Sequence, residues 1–232
     1  MLRYLTGDTH GQMKRIKLFC EKHNTSKDDI LIILGDAGIN YSLNENDKSL
    51  KRYLSNLPIT LFCIHGNHEE RPCNIKSYIS KEFLNGQIMY EEEFPNILFG
   101  IDGEIYDMDG KNVLVIGGAY SVDKYYRIAF GQKWFPNEQP SKDIKMKTEY
   151  VVLNNKIDIV LSHTCPYKYM PVEWFISGID QDTVDNSTEE WLDTIHEMVD
   201  DNLQKWYCGH FHGMKEIDKM VFMFENYKLL GD

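Results

Sequence analysis

Five short stretches of the chain combine carboxylate, amide and imidazole side chains with glycine. They are Gly7-Asp8-Thr9-His10-Gly11, Gly35-Asp36, Gly66-Asn67-His68-Glu69, Ser162-His163 and Gly209-His210-Phe211-His212. In extended backbone, residues two apart project to the same side, so Asp8 with His10, and His210 with His212, can each aim two donors into one pocket. Adjacent residues diverge, which lets Asn67 ligate a metal while His68 reaches toward a departing group. A single Asp or His of this kind is most simply a turn residue or a cap. Asp8, His10, Asp36, Asn67, His163, His210 and His212 taken together supply oxygen and nitrogen donors without thiolate, a set that suits manganese, iron or zinc in catalytic use. Two divalent ions offset by the carboxylates of Asp8 and Asp36 retain positive charge matched to a phosphate and a hydroxide. Phosphoester chemistry is the expectation.

The elements that must position these residues are legible around them. Short apolar runs at Leu2 to Thr6, Ile30 to Leu34, Ile59 to Ile64 and Ile157 to Leu161 read as strands, and the polar residues cluster where the runs end. Helical spacing of Met13, Ile16, Phe19 and Cys20, and of Leu50, Tyr53, Leu54 and Leu57, predicts helices that return the chain to the next parallel strand. Ser187 with Glu190 reads as a capping box opening a helix whose Trp191, Ile195, Met198 and Val199 face the core. Asp109-Gly110 and Asp218-Lys219 read as hairpin turns, so antiparallel strands join the parallel ones. The expected architecture is α/β, two mixed sheets flanked by helices, in one domain over residues 1–232.

Composition narrows the partners. The chain has 232 residues, 42% of them hydrophobic, and a formal net charge of −11. That charge opposes broad binding to nucleic acid, whose affinity rests on Lys and Arg neutralising phosphates, so a small phosphoester, a nucleotide included, is the expected substrate. No stretch approaches the roughly 20 apolar residues of a membrane span. The first strand-like segment starts almost at Met1, so no cleavable leader is expected. Five unclustered cysteines fit reduced thiols, and the expected location is cytoplasmic.

The ordered set DxH, GD, GNHE, H and GHxH, running from Asp8 to His212, resembles the calcineurin-like metallophosphoesterase superfamily. The resemblance implies a four-layer αββα sandwich and two metal ions. Asp8, His10 and His212 would hold one ion and Asn67, His163 and His210 the other, with Asp36 bridging. It implies a phosphomonoesterase or phosphodiesterase using a metal-bridging hydroxide, with His68 as acid catalyst and Glu69 orienting it. The chain continues after Gly35-Asp36 as Ala37-Gly38-Ile39-Asn40, without the acidic or arginine-containing extension of the protein Ser/Thr phosphatase branch. A nuclease or nucleotide phosphodiesterase is the alternative within enzymes, and a noncatalytic scaffold the alternative outside them.

Other residues of the same chemical types read as packing. His23 and His196 are expected on helix surfaces, His65 in a strand, and Cys63, Cys165 and Cys208 in the core. The aromatic, locally basic excursion at residues 117–141 is the expected substrate-facing segment, with Arg127 offering a fork for phosphate oxygens.

Overall fold

The aliphatic runs become parallel strands because they are apolar on both faces and buried on both. The computed structural model describes residues 1–232. Its first half runs β1 (Arg3–Thr6), α1 (Met13–His23), β2 (Ile30–Ile33), α2 (Glu45–Ser55), β3 (Thr60–Cys63), β4 (Tyr78–Phe83), β5 (Gly86–Glu91) and β6 (Ile97–Gly100). It continues through β7 (Ile105–Met108), β8 (Lys111–Ile116), α3 (Lys124–Ala129), α4 (Lys142–Asn154), β9 (Ile159–Ser162), α5 (Ser187–Val199) and β10 (Lys205–Cys208). The chain closes with β11 (Lys215–Ile217), β12 (Met220–Phe222) and β13 (Lys228–Leu229).

The strands form two mixed sheets, one ordered β13-β1-β2-β3-β6-β5-β4 and the other β11-β12-β10-β9-β8-β7. Alternation along each strand divides the apolar residues between layers. Leu31, Ile33, Leu61 and Cys63 face Ile16, Phe19, Leu50 and Leu54 of α1 and α2. Leu5, Ile30, Ile32 and Phe62 point the other way, into a core shared with Val113, Val115, Ile159 and Leu161 of the second sheet. The far face of that sheet, Leu114, Ile116, Val160 and Trp206, is covered by Val152 of α4 and by Trp191, Leu192 and Ile195 of α5. The result is the αββα sandwich.

Both expected hairpins form. Asp109 and Gly110 take φ of 59° and 76° between β7 and β8, and Asp218 takes 54° between β11 and β12. Several local expectations fail. The Ser187–Glu190 box does not form: α5 starts at Ser187 itself, whose N–H donates to Asp185 Oδ1 at 3.0 Å, and Asn186 occupies the cap position. Tyr53 and Met198 are exposed, and His196 is buried rather than on the surface, stacked on Trp206 at 5.8 Å. Helix α4, capped by Ser141, and the β4–β5 ribbon have no counterpart among the elements expected from the sequence.

The excursion at 117–141 contains α3 and is tied down at its base by Arg71. That guanidinium pairs with Asp102, both side chains buried, and its Nε donates to the Asn137 carbonyl at 2.8 Å. Asp102 Oδ1 in turn accepts the Gly117 N–H at 2.6 Å. Arg71→Met leaves a buried carboxylate unpaired, and the expected loss is about 3–5 kcal/mol of unfolding free energy, measured by denaturant titration of the metal-free protein. A loss below about 1 kcal/mol would show that the excursion is held by other contacts.

Candidate active site

Strands β1, β2 and β3 run parallel, as do β8, β9 and β10. In such sheets the loops at the carboxyl ends gather into one crevice. Asp8 and His10 follow β1, Asp36 follows β2, Asn67 and His68 follow β3, His163 follows β9, and His210 and His212 follow β10. Hydrogen bonds knit the loops together. The His10 N–H donates to the Asp36 carbonyl at 2.8 Å and the Gly209 N–H to the His163 carbonyl at 2.9 Å.

The backbone is bent where the donors sit. His10, Asp36, His210 and His212 have φ of 44°, 47°, 66° and 50°. Each such non-glycine residue costs on the order of 1–3 kcal/mol and persists only where its surroundings fix it. Two neighbouring glycines are required by space: a Cβ on Gly35 would overlap the His163 ring, and one on Gly66 would overlap the Asp36 carboxylate.

Donor atoms converge in two groups. His163 Nδ1 lies 2.8 Å from the Leu34 carbonyl oxygen, so in the neutral ring that nitrogen carries the proton and Nε2 presents a lone pair. Nε2 faces Asn67 Oδ1 at 2.8 Å and Asp36 Oδ2 at 3.8 Å, while the Asn67 amide nitrogen donates to Ser121 Oγ at 2.8 Å. In that neutral tautomer three acceptors meet with no proton between them, an arrangement that a cation satisfies. In the second group, Asp8 Oδ2 lies 3.2 Å from His212 Nε2 and 3.8 Å from His10 Nε2, and the two imidazole nitrogens are 3.0 Å apart. Asp8 also approaches Asp36 and His163, their donor atoms lying within 4.8 Å of one another. Asp8 thus stands between the two groups alongside Asp36. His210 belongs to neither tight group. Its ring stands against His163 at 5.0 Å and its N–H donates to Asp8 Oδ1 at 2.9 Å.

Electrostatics follow from burial and these contacts. Burial works to raise the Asp8 carboxyl, but the His212 hydrogen bond and the nearby His163 and His10 outweigh it and hold Asp8 well below the usual carboxylate range. The Asp8 hydrogen bond raises His212. Burial pushes His210 well down, which favours the neutral imidazole that ligates metals. Burial also lowers His68.

His68 sits at the rim of the donor groups. Its N–H donates to Asp36 Oδ1 at 2.9 Å, and its Nε2 accepts from Arg127 Nη2 at 3.3 Å. Arg127 is steadied by Asp123, its Nε donating to Oδ2 at 2.7 Å. Glu69 does not orient His68. It is buried beneath the loop, Oε1 accepting the Gly66 N–H at 2.8 Å, and burial, followed by the Asp36 charge, pushes its carboxyl well up.

A cavity of about 700 Å³ opens over His10, Asp36, Asn67, His68, His210 and His212. Tyr120, Asp123, Arg127 and Gln132 of the excursion line it, but so does a second wall from residues 170–189 that the sequence reading missed. Trp174 and Phe175 of that wall carried a signal only as an aromatic pair in a segment without helical or strand periodicity.

Comparison with known proteins identifies a family and a shared fold. A family model described as calcineurin-like phosphoesterase matches residues 1–214. The uncharacterized protein MJ1162 of Methanocaldococcus jannaschii is 26% identical over 195 residues, 83% of this chain and 73% of that one. The crystal structure of TT1561 of Thermus thermophilus superposes with a TM-score of 0.52 at 13% identity, covering 97% of this chain and 91% of that chain. That similarity is one of fold.

Proposed function

The chain belongs to the calcineurin-like phosphoesterase family, and from that premise we propose that it is a hydrolase of small phosphoesters, monoesters or diesters, working with two divalent metal ions. The observation that carries the proposal is the convergence of His163 Nε2, Asn67 Oδ1 and Asp36 Oδ2, which in the neutral tautomer of His163 are three acceptors. On this proposal Asp8, His10 and His212 hold one ion, Asn67, His163 and His210 the other, and Asp36 lies between them. Manganese, iron and zinc all suit such donors. Ions bound there would supply positive charge for the phosphoryl oxygens and lower the pKa of water toward neutrality.

The remaining work falls to the protein. His68, held through its backbone on Asp36, offers its imidazole to the departing oxygen as proton or hydrogen-bond donor. Arg127, braced by Asp123 through Nε and lying 3.5 Å from the Lys133 carbonyl through Nη1, brings Nη2 to the His68 ring in the cavity lining and offers its remaining N–H groups to the phosphate. The net charge of −11 favours a small substrate over long nucleic acid. A reducing, cytoplasmic setting belongs to the same proposal, since all five cysteines are free and four are buried. No helix is long and apolar enough to cross a membrane.

The test is a panel of nucleotides, cyclic nucleotides, sugar phosphates and 4-nitrophenyl mono- and diesters, assayed with manganese, iron and zinc. Metal-dependent turnover of at least one class is expected, and inactivity throughout with metals demonstrably bound would favour the scaffold alternative. Within the active class, Arg127→Ala is expected to raise KM about 10- to 100-fold, the value of one or two charge-assisted hydrogen bonds, with a smaller change in kcat. An unchanged KM in steady-state kinetics would remove Arg127 from the substrate's path.

A further inference from the structure

The wall at residues 170–189 is built rather than incidental. The Trp174 ring lies flat against Gly213, where a Cβ would meet it at 2.6 Å, and stands edge-on to Phe222 at 5.7 Å and 88°. Phe211 packs on the same Phe222 at 6.0 Å. Trp174 and Phe211, both packed on Phe222, line the cavity together with Phe175. Beside them stand the amides of Gln181 and Asn186 and the carboxyl of Glu189. Glu189 is only 4% exposed and lines the cavity; its Oε2 is sealed inside the protein, where the carboxyl meets the Thr164 hydroxyl, and Oε1 is the oxygen that remains accessible. An acceptor held in so desolvated a setting gains from a donor that a ligand brings to it.

We infer that this wall is the leaving-group subsite of the phosphoesterase proposed above, and that it takes the base of a nucleotide, with Glu189 accepting from an amino group on that base. The inference rests on the phosphoesterase reading for the identity of the phosphate end. A flat heterocycle fits each part of the wall: its faces suit the three aromatic rings, and its edge carries the donors and acceptors that Gln181, Asn186 and Glu189 complement. A hydrocarbon chain would cover the rings but leave three polar side chains desolvated and unpaired. The cavity volume of about 700 Å³ lies within the range of small-molecule sites of nucleotide size.

The test compares AMP, GMP and CMP with ribose 5-phosphate, which carries the same phosphate on the same primary alcohol and lacks only the base, and with hexyl phosphate. Affinities for the manganese-loaded protein are read by calorimetry, and hydrolysis is followed in the same samples together with bis(4-nitrophenyl) phosphate. The tightest of the three nucleotides is expected to bind at least about tenfold more tightly than ribose 5-phosphate, as base–aromatic stacking provides. Glu189→Leu, which keeps bulk and removes the acceptor, is expected to weaken that nucleotide about fivefold more than ribose 5-phosphate, as is Phe175→Ala by loss of stacking. A purely structural role for either residue would weaken both ligands alike and overturn the assignment. Equal affinity for nucleotides and ribose 5-phosphate, or tighter binding of hexyl phosphate, would overturn the nucleotide subsite even with hydrolysis intact. The expected order of affinities without turnover of any ester would leave the subsite standing and remove the phosphoesterase reading.

Discussion

Asp36→Asn is expected to lower phosphoester hydrolysis by at least about a thousandfold, the rate equivalent of the several kcal/mol that charge stabilisation at a metal site supplies. Asp36 is buried, sits at φ 47°, and places one oxygen on the His68 N–H and the other toward His163 Nε2. The substitution keeps shape and an acceptor for the His68 N–H, so the loop should hold. It removes the negative charge between the two donor groups, and bound metal is expected to fall with activity. Apoprotein stability should be little changed, because the buried acidic neighbour of the lost charge is the like-charged Asp8, and Glu69 beside it has its carboxyl pushed well up. Elemental analysis after gel filtration, paired with a rate on an activated ester, checks both. Retention of full activity would exclude Asp36 from the reaction centre.

His68→Gln is expected to act differently. It should lower kcat by about 10²- to 10⁴-fold, as loss of a general acid does, while leaving metal content as it was. The distinction arises because the backbone of His68, not its ring, serves Asp36. The loss should be greatest for alkyl esters, whose alcohols depart poorly, and small for 4-nitrophenyl esters, whose leaving group needs no proton. Equal losses on both would assign the ring to phosphate binding instead, in company with Arg127 at 3.3 Å.

The parallel strands were legible because an apolar run ending in Gly, Asp or His is a local signal, and the Asp109-Gly110 hairpin because its two positive φ angles demand such residues. The β4–β5 ribbon turns equally tightly through Leu84 and Asn85 at φ 51° and 67°, and Asn85-Gly86 is a turn signal of the same kind, offset by one residue because Gly86 already pairs with Phe83 in the ladder. His196 reads as a surface residue only when counted as a lone polar side chain; Leu192 and Val199 put it on the buried stripe of α5. The seven residues gathered at the strand ends could be picked out from their types and order. The left-handed backbone at His10, Asp36, His210 and His212 could not, since it goes with contacts between loops far apart in sequence, such as His10 with Asp36 and His210 with Asp8. Glu189 was invisible for a related reason. In the sequence it is one more acidic residue at a helix start, and only the fold buries it against the cavity.

On the proposed function, the residues gathered at the strand ends hold two ions on which hydrolysis depends. Metal-free protein should be titrated with manganese while bound metal per chain and phosphoester turnover are followed together. Binding should saturate at two ions per chain, turnover should rise with occupancy of the second, and His163→Ala should stop the titration short of two. Undiminished hydrolysis by the metal-free protein, or saturation at two ions in His163→Ala with full activity, would contradict the account.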